Sequence, residues 1–170
     1  MAATPPPGLF LALAAAAGLA LTNSLPIGPA VEVRDLDEGG RLLATVPLLA
    51  PGTFDLLFTH SMYGGEVVET YRVAGQPSPR LERSAVRTER SGAAEYYARY
   101  GDFRRGSEGW VLETERLELA RLPLRVDRTG SPAIQVGARR LPLLGLVPDG
   151  HLAELRPVVV GRHRGSHVPR

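Results

Sequence analysis

From Ala30 onward, short runs rich in Val, Leu, Thr and Tyr are cut by Gly, Pro, Asp or Ser roughly every eight to twelve residues, and none carries convincing helical periodicity. That punctuation predicts an all-β domain. About eight short strands must hide their edges, so the expected architecture is an antiparallel sandwich or a partly closed barrel. The runs predict strands over Ala30–Arg34, Arg41–Val46, Thr53–Ser61, Val67–Ala74, Arg80–Arg87, Gly109–Thr114, Leu117–Val126, Ala133–Val136 and Leu155–Val160. Turn signals stand between them at Glu38-Gly39-Gly40, Pro51-Gly52, Gly64-Gly65, Thr129-Gly130-Ser131-Pro132 and Pro148-Asp149-Gly150. Only Ala93–Tyr100 (AAEYYARY) admits a short helix.

The N-terminal segment is patterned differently. Leu9–Leu21 (LFLALAAAAGLAL) is uncharged and apolar, with the length of a signal-peptide core and short of the ~20 residues of a comfortable membrane span. It predicts a hydrophobic leader helix, either cleaved after the Gly18-Leu19-Ala20 stretch or kept as an anchor. The absence of Arg and Lys ahead of the apolar run and the prolines Pro5–Pro7 are unusual for a leader, and a buried N-terminal helix is the alternative. The chain thus divides into a leader over residues 1–27, a β domain over 28–160 and a loose basic tail over 161–170.

Composition removes several function classes. The 20 Lys+Arg residues are all arginine, but 18 acidic residues are interspersed with them and the formal net charge is +2. Nucleic-acid binding needs a clustered basic stripe with interleaved aromatics, which this distribution does not supply. With no cysteine, thiol catalysis, disulfides and cysteine-ligated zinc are excluded. His163 and His167 have helical ligand spacing, but Gly161 and Gly165 make a helix there improbable and no carboxylate is nearby. Neither a metal nor another cofactor is expected.

The most structured stretch is Phe54–Val73 (FDLLFTHSMYGGEVVETYRV). A two-residue turn at Gly64-Gly65 suits the positive φ that both central positions require. It places His60 opposite Glu69, with Leu56, Phe58, His60 and Met62 sharing a face with Val67, Glu69, Tyr71 and Val73. Burying either polar group alone is costly, so a His60–Glu69 hydrogen bond or ion pair is the expectation. The carboxylate would raise the imidazole pKa while burial would lower it. A hydrolase-like reading, with His60 and Glu69 as an acid–base pair beside Ser61, meets a geometric objection. Adjacent strand residues point to opposite faces, and no strand-turn-helix elbow surrounds the serine.

Other candidates are spread along the chain. The segment Glu95, Tyr96, Tyr97, Arg99, Tyr100, Asp102, Phe103, Arg104 and Arg105 combines aromatics with arginines, as binding surfaces do. Arg104-Arg105 would clamp a carboxylate; the alternative is a lid folded over the core. Trp110 is expected to anchor the core at a strand start, and His151 to be a surface residue flanking a turn.

Phe54, Phe58, His60, Ser61, Val68, Glu69 and Tyr71 follow a pattern that resembles the bacterial domain of unknown function numbered 1850, with a looser likeness over residues ~28–160. The chain departs from that family at Ser91-Gly92-Ala93-Ala94-Glu95-Tyr96-Tyr97, where a Gly-Ala-Gly-Leu-Pro-like stretch is usual. The resemblance implies a small exported protein, periplasmic or anchored to the outer face of the cytoplasmic membrane, often encoded beside TRAP transporters of the TAXI type. A TRAP permease or solute-binding protein is then the implied partner; a small anionic molecule, bound through the hairpin end and the tyrosine-arginine segment with Arg104-Arg105, is the alternative ligand read from the residues themselves. The candidate binding set is His60, Ser61, Glu69, Tyr71, Tyr96, Tyr97, Arg104 and Arg105. Binding or assembly is expected ahead of catalysis, with a ligand-free structural envelope domain as the remaining alternative.

Overall fold

A computed structural model describes residues 28–107 and 109–161, so the leader over 1–27 and the tail beyond Gly161 lie outside the described residues. Among the described residues there are eleven strands: β1 Gly28–Asp35, β2 Arg41–Pro47, β3 Thr53–Thr59, β4 Glu66–Ala74, β5 Arg80–Thr88, β6 Phe103–Gly106, β7 Gly109–Leu119, β8 Leu122–Arg125, β9 Ala133–Val136, β10 Arg139–Pro142 and β11 Leu152–Val160. A helix, α1 Ser91–Tyr97, continues into a single 3-10 turn over Ala98–Tyr100. The strands form two antiparallel sheets, a four-stranded one in the order β2-β1-β11-β8 and a seven-stranded one in the order β10-β9-β3-β4-β5-β7-β6. Neither sheet closes on itself, so of the two expected architectures the chain adopts the sandwich.

Period-2 burial drives the stacking. Val31 and Val33 of β1 and Ala153 and Leu155 of β11 turn one face inward, against Phe54, Leu56, Tyr71, Val73 and Leu81 of the longer sheet. Each fully buried aliphatic side chain contributes roughly 1.5–3 kcal/mol. A four-stranded sheet cannot cover seven strands, and α1 takes part of the remaining area. Ala93 and Tyr97 of the helix pack on Val67, Val86 and Leu112 from β4, β5 and β7, with Phe58 and Phe103 at the margin. A helix of seven residues is marginal in isolation, and no side chain caps its N-terminus. Tertiary packing of its buried face therefore supplies its stability.

Three features differ from the sequence reading. The strand expected over Leu117–Val126 is not one piece: its first residues continue β7, in line with the strand expected over Gly109–Thr114, and Leu122–Arg125 form the short β8. At Ala120-Arg121 the chain crosses to the other sheet. The apolar positions change phase there, from Leu117 and Leu119 to Leu122, Leu124 and Val126, and that slip is the trace of the crossing in the sequence. The edge strands β6 and β10 were not anticipated because Phe103–Gly106 and Arg139–Pro142 are too short and too arginine-rich to show alternation. The β3–β4 register also differs. Thr59 pairs with Glu66, Phe58 with Val67 and Leu56 with Glu69, and the ladder extends to a His60 N–H donating to the Gly65 carbonyl at 3.1 Å.

The reversal is therefore the four-residue stretch 61–64, and the diglycine sits at its trailing end. Gly64 and Gly65 have φ of 64° and 75°, the left-handed backbone their sequence anticipates. His60 closes the turn early, because its Nδ1 accepts from the backbone N–H groups of Met62 and Tyr63 at 3.3 and 3.4 Å. Since Leu56 and His60 are an even number of residues apart, side chains keep their expected faces while their partners change.

Candidate functional site

The predicted His60–Glu69 pair is not formed. Glu69 faces the sandwich interior, 6% exposed, and is engaged by three other donors. Oε2 accepts from the Tyr71 hydroxyl at 2.5 Å. Oε1 accepts from the Tyr97 hydroxyl at 2.7 Å and from Arg83 Nη1 at 3.1 Å. Three elements meet at this carboxylate: β4 supplies Glu69 and Tyr71, β5 supplies Arg83, and α1 supplies Tyr97. The Arg83 guanidinium also lies 5.5 Å from the Tyr97 ring centroid and 4.8 Å from that of Tyr100.

Burial, and then the adjacent Glu69 charge and its hydrogen bonds, push the Tyr71 and Tyr97 hydroxyls well above the ordinary tyrosine range. Both stay neutral and donating. A buried carboxylate enclosed by three donors is a structural acceptor rather than a general base. Tyr71 belongs to the core between the sheets and Tyr97 to the one beneath the helix. Glu69 bonds to both, and so joins the two apolar cores.

His60 stands in the turn beyond the strand end, half-buried. Its ring lies 4.9 Å from Tyr63 and 5.4 Å, edge-on, from Tyr96. Tyr96 meets Tyr97 at 5.3 Å and Tyr97 meets Tyr100 at 6.4 Å, which makes a continuous aromatic run from the turn along α1. Its outer members are open to solvent, Tyr96 at 49%, Tyr63 at 42% and Tyr100 at 36% exposed, and Met62, beside Tyr63 in the turn, is 76% exposed. Tyr63 lies flat against the helix because residue 92 is glycine; a Cβ there would stand 2.6 Å from the ring. The turn and the helix thus form one surface.

The remaining candidates fall apart spatially. Ser61 is exposed at the turn. Arg104 and Arg105 are successive residues of β6, opposite Val111 and Trp110 respectively, and so project from opposite faces. The carboxylate clamp expected of the two together is not built. Trp110 is half-buried rather than a core anchor. It lines a cavity of about 170 Å³ between α1 and the β6–β7 hairpin, with Ala94, Glu95, Asp102 and Phe103. His151 is likewise not a free surface residue. Its Nδ1 lies 3.0 Å from Oδ2 of Asp35, which is fully buried.

Sequence reasoning missed Arg83, Asp35 and the cavity. Arg83 reads as one more arginine in an alternating strand, although its spacing of two from Leu81 places it on the buried face, and the bulge that follows, between Arg83 and Ala85, hands that face to Val86 and Thr88. No family model, curated protein or solved structure matches the chain.

Proposed function

We propose that this chain is an exported β domain, periplasmic or held at the outer face of the cytoplasmic membrane, that acts as an accessory component of a TRAP-type transporter by binding a protein partner. The turn after β3 and the outer face of α1 form the docking surface. One observation carries this reading: Tyr63, His60, Tyr96, Tyr97 and Tyr100 form a continuous run of rings whose members Tyr63, Tyr96 and Tyr100 are exposed, with exposed Met62 next to Tyr63 in the turn, and Tyr97 anchors the run to the buried Glu69. Tyrosine gives large contact area at low entropic cost and is enriched where proteins bind proteins. An acid–base enzyme would instead have His60 and Glu69 lining one solvent-reachable pocket, and the two are separated here. The export and the transporter association rest on the leader pattern and on the family resemblance.

The test is co-purification from membranes with the permease or solute-binding protein encoded beside it. Wild-type protein should recover the partner, and the double variant Tyr63→Ala/Tyr96→Ala, folded as judged by its thermal midpoint, should not. Recovery of neither protein with the other, in conditions that keep both intact, would remove the reading.

A further inference from the structure

None of Met62, Tyr63, Tyr96 and Tyr100 lines the cavity beside Trp110, and its chemistry is different. Its floor is apolar: Ala94 and Ala98 from the helical segment face Phe103 and Trp110 from the hairpin. Two carboxylate residues, Glu95 and Asp102, complete the lining. Both are exposed, and among the described residues neither side chain takes part in a hydrogen bond or an ion pair. An indole with two unengaged acids is a constellation suited to a cation, because the π face attracts positive charge and the acids supply countercharge. At about 170 Å³ the space is smaller than the roughly 300–1,000 Å³ of a drug-sized pocket. It admits a single head group.

We propose that this cavity is a binding site for the ammonium or guanidinium head of a small organic cation, with Trp110 as the aromatic platform and Glu95 and Asp102 as the counterions. The ligand class is opposite in charge to the anionic solute inferred from Arg104 and Arg105. Arg105 stands across the ladder from Trp110 and shares its face, so it is a competing positive charge on that side of the hairpin. The site is independent of whether the tyrosine surface binds a transporter.

Trp110 is the only tryptophan in the chain, so the full-length protein reports occupancy through its own fluorescence. Choline and arginine amide serve as the quaternary ammonium and guanidinium probes, and 3,3-dimethylbutanol as the neutral isostere of choline. A saturable change with either cation and none with the alcohol is expected. Glu95→Gln/Asp102→Asn should weaken that binding on the order of tenfold or more without shifting the thermal midpoint, since both residues are exposed. Arg105→Gln should bind the cation at least as tightly as wild type. An equal response to the alcohol, no saturable response to either cation, unchanged affinity in the double variant, or weaker binding by Arg105→Gln would each overturn the proposal.

Discussion

The Tyr97 hydroxyl donates to Glu69 Oε1 at 2.7 Å, and through that bond the one α-helix among the described residues is tied to a central strand of the seven-stranded sheet. Arg83 completes the arrangement at 3.1 Å, with side-chain exposures of 6% for the arginine and 8% for the acid. Removing one member of a buried ion pair leaves the other charged and uncompensated, at a cost of about 3–5 kcal/mol. Glu69→Ala should therefore lower unfolding stability by about that amount in chemical denaturation. The paired replacement Glu69→Leu/Arg83→Met should be less damaging than Glu69→Ala alone, because no orphaned charge remains.

The two buried hydroxyls make the fold sensitive to alkali. An acid whose folded pKa is raised contributes stability that is fully present below its unfolded value, near 10.0 for tyrosine, and is lost as the pH climbs past it. Stability should fall above about pH 10, and Tyr71 and Tyr97 should ionise only as the protein unfolds. Tyrosinate absorbance followed against pH, beside circular dichroism, checks this. Full ionisation of all five tyrosines while the sheet signal is intact would contradict it.

At the opposite end of the pH scale, Asp35 has the reverse sign. Burial pushes its carboxyl up, but the hydrogen bond and charge of His151, with the backbone N–H groups of Glu38 and Asp37, outweigh burial and hold it below its ordinary 3.8. A depressed carboxylate contributes stability above the unfolded value and loses it as the pH falls through the folded one. Denaturation midpoints should thus decline below about pH 4, and Asp35→Asn should flatten that decline. An unchanged acid limb in the variant would show that other carboxylates set it.

Gly92 tests whether the aromatic turn and α1 are one surface. Alanine is intrinsically better in a helix by about 0.5–1 kcal/mol, yet a Cβ at residue 92 would stand 2.6 Å from the Tyr63 ring. Gly92→Ala should leave global stability within about 1 kcal/mol of wild type while displacing Tyr63. Partner recovery should fall in this variant as it does in Tyr63→Ala/Tyr96→Ala.

How much of this was legible depends on the length scale of the signal. Alternation over Val31 and Val33, or over Val67, Glu69, Tyr71 and Val73, is visible directly, so the all-β class, most strands and the inward face of β4 could be read. The pair Gly64-Gly65 announced a reversal but not its apex, because the apex is set by His60 accepting from Met62 and Tyr63 and by Tyr63 settling on Gly92. The second of those contacts joins residues far apart in sequence and carries no local pattern. Arg83 was illegible for a similar reason: alternation with Leu81 turns it inward, but the carboxylate that receives it lies on the neighbouring strand. Glu69 was singled out as a polar residue on a buried face in need of a partner, and that demand was real. Its donors come from its own strand, a neighbouring strand and a helix rather than from across the hairpin.

Double-mutant cycles measure directly which residue Glu69 is coupled to. Glu69→Gln combined with Tyr97→Phe should show a coupling of about 1–3 kcal/mol, the range of a buried hydrogen bond to a charged group. Glu69→Gln combined with His60→Ala should be additive within about 0.5 kcal/mol. A large coupling to His60 and none to Tyr97 would contradict the structure at its centre.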